Sequence, residues 1–235
     1  MTRILLLLLF SVSIFLYPQT GITLGVGATY TVQAKVYPYP NDIASEFRNK
    51  SFSYSHILAP TLWVSATVFK DIALEISFEY LKQTHEEKYI TVLTDAKTKQ
   101  FKGTEGFHLV PIDVGATYRL PFSTNVFAVT MSGGLGIYYA KVIREIGTLG
   151  FETENGNWSS GLQVALGIDY EFIKNFPVTF RMKFREPTLW MKGNFSSDSG
   201  VVEGNPFYLG TTKGESRLIS DGLVFMLGIS TKIGF

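Results

Sequence analysis

From Gly21 onward, apolar and polar residues change places at almost every step. In the first such stretch Ile22, Leu24, Val26, Ala28, Tyr30, Val32, Ala34 and Val36 alternate with Gly21, Thr23, Gly25, Gly27, Thr29, Thr31, Gln33 and Lys35. A period of two predicts a β-strand with one apolar face. Seven further segments repeat it. The second carries Leu62, Val64, Ala66 and Val68, and the third Ile72, Leu74, Ile76, Phe78 and Tyr80. The fourth carries Val110, Ile112, Val114, Ala116 and Tyr118; the fifth, least polar, Phe127, Val129, Met131, Leu135 and Ile137. The sixth runs from Leu162 to Phe172, the seventh from Val178 to Phe184, and the eighth from Leu223 to Phe235.

The connections alternate in length. Lys70-Asp71, Pro121–Thr124 and Ile173–Phe176 are tight turns, whereas 37–57, 83–106, 143–157 and 187–216 are long and polar. Such long loops are uncommon in compact soluble domains. An eight-stranded antiparallel up-and-down transmembrane β-barrel accounts for them, with short turns on one side of the membrane and long loops on the other. A soluble lipocalin-like barrel also alternates, but its apolar face lines a cavity. Here the other face is rich in Gly, Ser and Thr, which suits a narrow filled lumen. In lipid, closure also satisfies every backbone group.

The first segment differs. Arg3 precedes an apolar run from Ile4 to Tyr17, broken by Ser11 and Ser13. This predicts a signal peptide over residues 1–20, with cleavage near Pro18–Gly21, and a barrel domain over 21–235. An uncleaved signal anchor is the alternative. No later run is long and apolar enough for a spanning helix. The chain has no cysteine, which excludes disulfides, thiol nucleophiles, cysteine metal sites and a lipid anchor on cysteine. Net charge is +1, so no strong field points to nucleic acid.

The eighth segment resembles the C-terminal signature of bacterial outer-membrane proteins, carried by Phe225, Leu227, Ile229, Ile233 and Phe235. Thr231 departs from it, being polar where that pattern is apolar. The resemblance implies recognition by the barrel-assembly machinery and the outer membrane of a Gram-negative bacterium. The eight-segment layout looks like the small barrels of the OmpA-like, OmpX-like and OmpW-like type. No peptidoglycan-binding domain is expected after Phe235.

Aromatics fall where two interfacial girdles would lie. Tyr118, Phe122, Phe127, Tyr170, Phe172 and Phe176 are near short turns, and Trp158 and Trp190 are near long loops. Trp63 has lumen parity instead. The same parity sends Glu75, Glu79, Asp113, Arg119, Asp169, Glu171, Arg181, Lys183 and Arg185 inward. Eight strands leave room only for side chains, and unpaired buried charges are costly. An ion-pair network across a plugged lumen is therefore expected. A narrow selective channel is the rival reading.

The chain is read as a structural or surface-interaction protein, monomeric, in contact with outer-membrane lipid. The long loops 37–57, 83–106, 143–157 and 187–216 are the candidate ligand surfaces. Passive transport of small or hydrophobic solutes, through the lumen or a lateral opening, is the second reading. A lipid A-modifying enzyme is the third. His56, His85 and His108 lie at long-loop ends with Ser53, Ser55, Glu86 and Glu105 near in sequence, but they read as solvated loop residues. No catalytic, metal or cofactor site is expected. His85-Glu86-Glu87 lacks ligand spacing, and the Gly-rich stretches sit inside strands rather than before a helix.

Overall fold

The computed structural model describes residues 21–43, 45–94, 97–154, 157–220 and 222–233. The expected signal peptide and Phe235 lie outside the described residues. The elements in order are β1 (Ile22–Tyr37), α1 (Ser45–Arg48, a single turn), β2 (Phe52–Phe69), β3 (Ile72–Glu79) and β4 (Leu81–Thr94). They continue with β5 (Lys97–Arg119), β6 (Phe127–Ile146), β7 (Leu149–Thr153), β8 (Trp158–Ile173) and β9 (Phe176–Arg185). The chain finishes with β10 (Thr188–Phe195), β11 (Ser199–Val202), β12 (Asn205–Tyr208), β13 (Lys213–Ser220) and β14 (Leu223–Ile233).

Eight of these close a ring: β1, β2, β3, β5, β6, β8, β9, β14 and back to β1, each pair antiparallel. Closure runs from Ile22 opposite Ile233 to Thr31 opposite Val224. A closed ring leaves no sheet edge inside the hydrocarbon. The turns at one end are tight. Phe69 pairs with Ile72, and Ile173 pairs with Phe176 across Lys174 and Asn175, the latter with φ 66°.

The other end departs from expectation. Segments read as loops are largely strands that prolong the barrel wall. β4 continues β3 and forms a ribbon with β5. β10 continues β9, and β13 pairs with both β10 and the upper end of β1. The physical reason is that alternation persists into these polar segments, so each still owns an apolar face to bury. Among the described residues the longest irregular stretch lies in 37–57, between β1 and β2 and including α1.

The wall presents a belt of apolar side chains outward, including Val26, Leu62, Leu74, Ile76, Val114, Met131, Leu135, Leu166, Phe180, Leu227 and Ile229. Exposure of this kind in a closed barrel marks the lipid-facing band. The fifth segment's facing resolves with Met131, Leu135 and Ile137 outward. One assignment is corrected. In β1 the parity changes between Thr31 and Ala34, so Ala34 and Val36 are buried inside with Thr29 and Thr31, not on the lipid face. β2 changes parity at the same register, where His56 has φ 57°. A left-handed residue swings the following side chains to the opposite face.

Candidate functional site: the filled lumen

Inward side chains fill the barrel at two levels. The lower level is ionic. β3 supplies Glu75 and Glu79, β5 supplies Asp113, and β9 supplies Arg181, Lys183 and Arg185. The Arg185 guanidinium donates to both Glu79 oxygens, at 2.7 and 3.0 Å. Lys183 Nζ donates to Glu79 Oε1 at 3.1 Å and to Asp113 Oδ2 at 3.2 Å. The Thr29 hydroxyl adds a third kind of donor to Glu79 at 3.2 Å, and Ser77 reaches Asp113 at 3.4 Å. Arg181 pairs with Glu75 one step lower. The three carboxylates and three cations are all largely hidden from solvent, with Arg185 and Glu79 fully buried. Desolvating such ions is costly, and only mutual pairing with added hydrogen bonds offsets it.

Trp63 is packed under this cluster. Its ring lies 5.6 Å from the Arg181 guanidinium carbon, within cation–π range. Two glycines make its niche. A Cβ at Gly25 would stand 2.1 Å from the indole, and one at Gly228 would stand 2.6 Å from it. Strand glycine here serves the close approach of a neighbouring ring.

The remaining predicted charges stand apart, at the short-turn mouth. Asp169 accepts from the Thr179 hydroxyl at 2.7 Å. Glu171 pairs with Lys232, and Arg119 donates to the Thr124 carbonyl. With Trp63, Glu75 and Arg181 above them, they line a vestibule of about 170 Å³. The girdle aromatics stand on the outer wall. Tyr118, Phe122, Phe127, Tyr170, Phe172 and Phe176 are exposed near this mouth, and Trp158 and Trp190 are exposed at the opposite end. Of the terminal-strand residues, Leu227, Ile229 and Ile233 face outward and Phe225 is half-buried.

The upper level is apolar. Val36, Tyr54, Ile57, Leu81, Phe107, Leu109, Tyr138, Ala140, Leu189, Met191 and Leu218 are buried and form one cluster. Above it, beyond the lipid belt, Arg144 of β6 donates to Glu105 of β5 at 2.7 and 2.9 Å and to the Ser216 hydroxyl of β13 at 3.1 Å. Burial pushes the Glu105 carboxyl up against the opposing pull of Arg144. The sequence reading placed both residues in loops. Their signal was present: Phe101, Gly103, Glu105, Phe107 and Leu109 alternate inward, as do Tyr138, Ala140, Val142, Arg144 and Ile146. The β11–β12 hairpin then lays Phe207 over Ile90, Ile146 and Leu149.

One ladder is interrupted. The Tyr80 N–H donates to the Pro60 carbonyl at 3.3 Å. Beyond that point, among the described residues, no ladder joins 52–60 of β2 to β4. Pro60 explains it. The N–H and C=O of a strand residue point to the same neighbour, so the donor proline lacks is the one that would face β4. Side chains span the break: Tyr54 and His85 stack at 4.8 Å, 9° from parallel.

The histidines are not gathered. His56 is hydrogen-bonded to the Tyr30 hydroxyl at 2.5 Å, His108 to the Tyr80 hydroxyl at 2.8 Å, and His85 lies on Tyr54. Glu105, near His108 in sequence, points into the lumen instead. Among the described residues no group of His, Asp and Glu is placed to hold a metal ion.

The closed ring, the lipid belt and the filled interior decide the architecture. The chain has the fold of the small outer-membrane β-barrels. The outer-membrane protein OprG of Pseudomonas aeruginosa superposes with a TM-score of 0.59 at 14% identity, covering 92% of this chain and 97% of that one. Neisserial surface protein A gives 0.46 at 16% identity over 90% and 97% of the two chains. The outer membrane protease OmpT of Escherichia coli gives 0.47 at 6% identity over 92% and 97%. The last two superpose too loosely to bear on this chain. No protein-family model matches the sequence, and none of the curated proteins matches it.

Proposed function

We propose that this outer-membrane barrel is a plugged, non-catalytic protein of the structural and surface-contact type, acting through its extracellular half and not through a water-filled channel. The observation that carries this reading is the Glu79, Asp113, Lys183 and Arg185 cluster, which bonds β3 and β5 to β9 across the lumen. An ion passing this level must break pairs that are almost wholly hidden from solvent. The apolar layer above adds a second barrier to ions. Support for a non-catalytic reading is the separation of the histidines: His56 and His108 bond Tyr30 and Tyr80 on the outer wall, and His85 stacks on Tyr54. Expression in a Gram-negative host should leave lipid A acylation unchanged.

The test is single-channel conductance of the refolded barrel in a planar bilayer. Folding is verified by heat-modifiable gel mobility. Silence is expected. A stable, reproducible conductance would overturn the plugged reading and make the same charges selectivity residues.

A second reading is favoured by one observation. The ladder break at Pro60 opens beside the apolar upper level, so an apolar solute has a lateral path between β2 and β4 toward the bilayer. Tyr54 and His85 close that path in this structure. Tyr54→Ala should raise uptake of an apolar fluorescent probe into vesicles carrying the barrel, and Pro60→Ala should lower it. Uptake equal to that of empty vesicles for all forms would remove this reading.

A further inference from the structure

Lys82, His108 and Lys141 form a row on the outer wall that the lumen does not explain. Lys82 of β4 stands directly opposite His108 of β5, and His108 stands opposite Lys141 of β6. Residues in one antiparallel register project from one face. Here that face is outward. Both lysines are exposed and His108 is half-buried, while Leu81, Leu109 and Ala140 beside them are buried in the lumen. Adjacent strands are about 4.8 Å apart, so the lysine stems rise about 10 Å from each other with the imidazole between them.

The row lies at the upper edge of the lipid belt. Ile76 and Phe78 of β3 and Leu135 and Ile137 of β6 are exposed just below it. Interfacial aromatics surround it. Tyr139 packs on Trp158 at 4.9 Å, and Lys141 Nζ lies 5.8 Å from the Tyr139 ring centre. The Tyr80 hydroxyl bonds His108 Nδ1 at 2.8 Å. With that hydroxyl as donor, Nε2 carries the ring proton. Among the described residues, neither lysine is ion-paired with a carboxylate.

We propose that Lys82, His108 and Lys141 bind a phosphorylated headgroup of an outer-leaflet lipid. Its acyl chains would lie against the belt beneath. Two ammonium groups and one imidazole N–H supply charge and donors at the depth where a lipid phosphate sits, and basic groups at that depth attract anionic lipid. A water-soluble anion would gain nothing from the apolar wall below the row.

The test uses the whole chain, refolded in detergent and titrated with diphosphorylated lipid A or with the same lipid dephosphorylated. Bound lipid is read by native mass spectrometry. Wild type should retain the phosphorylated form in preference. K82Q/K141Q should weaken that binding roughly thirty-fold, and H108F should weaken it less. K99Q/K213Q removes the same charge from strands farther out and should bind as wild type does. Heat-modifiable mobility confirms that each variant is folded. The proposal fails if the dephosphorylated lipid binds equally well, or if the distant control loses as much as K82Q/K141Q.

Discussion

Glu79 receives donors from Arg185, Lys183 and Thr29 while fully buried, so its carboxylate holds more of the lumen together than any other single group. Glu79→Gln leaves Arg185 and Lys183 short of a counter-charge in a dry site. The expected loss of stability is about 3–5 kcal/mol, read from the urea midpoint of reversible unfolding in detergent or vesicles. Asp113→Asn should cost less, since its contact to Arg185 is long at 3.5 Å. At the level below, shape decides rather than charge. A valine at Gly25 meets the Trp63 ring, so Gly25→Val should lower the yield of heat-modifiable barrel. Trp63→Ala in the same chain should restore much of it, and the double variant should lose less than the sum of the singles.

Elements behave differently inside and outside the belt. Within it, the wall is continuous from β1 to β14 and each strand is paired on both sides. Outside it, β4, β7, β10 and β13 stand on the ring, held by their own ladders and by a few inward groups. The Arg144 contacts to Glu105 and Ser216 join the outer ends of β6 and β5 to β13. Arg144→Met strands Glu105 without a partner. Hydrogen exchange should then accelerate in 97–105 and 213–220 while the spanning parts of β8 and β14 stay protected. Arg144→Met combined with Glu105→Gln should recover part of that protection, because a buried charge without a partner costs more than a lost pair. Equal exchange in all three forms would show that the apolar cluster above and below holds the ribbon unaided.

For the molecule as a whole, two layers of different chemistry lie along one axis. The ionic layer rejects apolar solutes, and the apolar layer rejects ions. Their combination predicts no conductance for wild type. Removal of Glu79, Asp113, Lys183 and Arg185 together by neutral replacements should also leave the barrel closed to ions, because the upper cluster remains. Removal of the upper rings, through Tyr54→Ala with Phe107→Ala, should likewise keep it closed while the ionic layer stands. A conductance appearing in either variant would show that a single layer forms the barrier.

The sequence by itself determined the eight spanning segments, the order of the ring and, except at the upper end of β1, which wall residues face lipid. Period-two alternation carries that information locally, and closure in lipid leaves one arrangement of strands that satisfies every backbone group. The girdle aromatics and the inward charges followed from the same parity. Partners did not. Parity sends nine charged residues inward, but strand tilt and stagger decide that Glu79 meets Arg185 while Asp169 and Glu171 stay at the mouth with Thr179 and Lys232. The end of the barrel beyond the lipid belt reads as loops in the sequence because polar residues there mask an alternation that continues through Glu105 and Arg144. The parity change in β2 falls at one left-handed residue, His56, whose φ no alternation reveals, and β1 changes parity in register with it. The ladder break likewise needed the fold: Pro60 is visible in the sequence, but the strand its missing N–H would have faced is known only once β4 lies beside it.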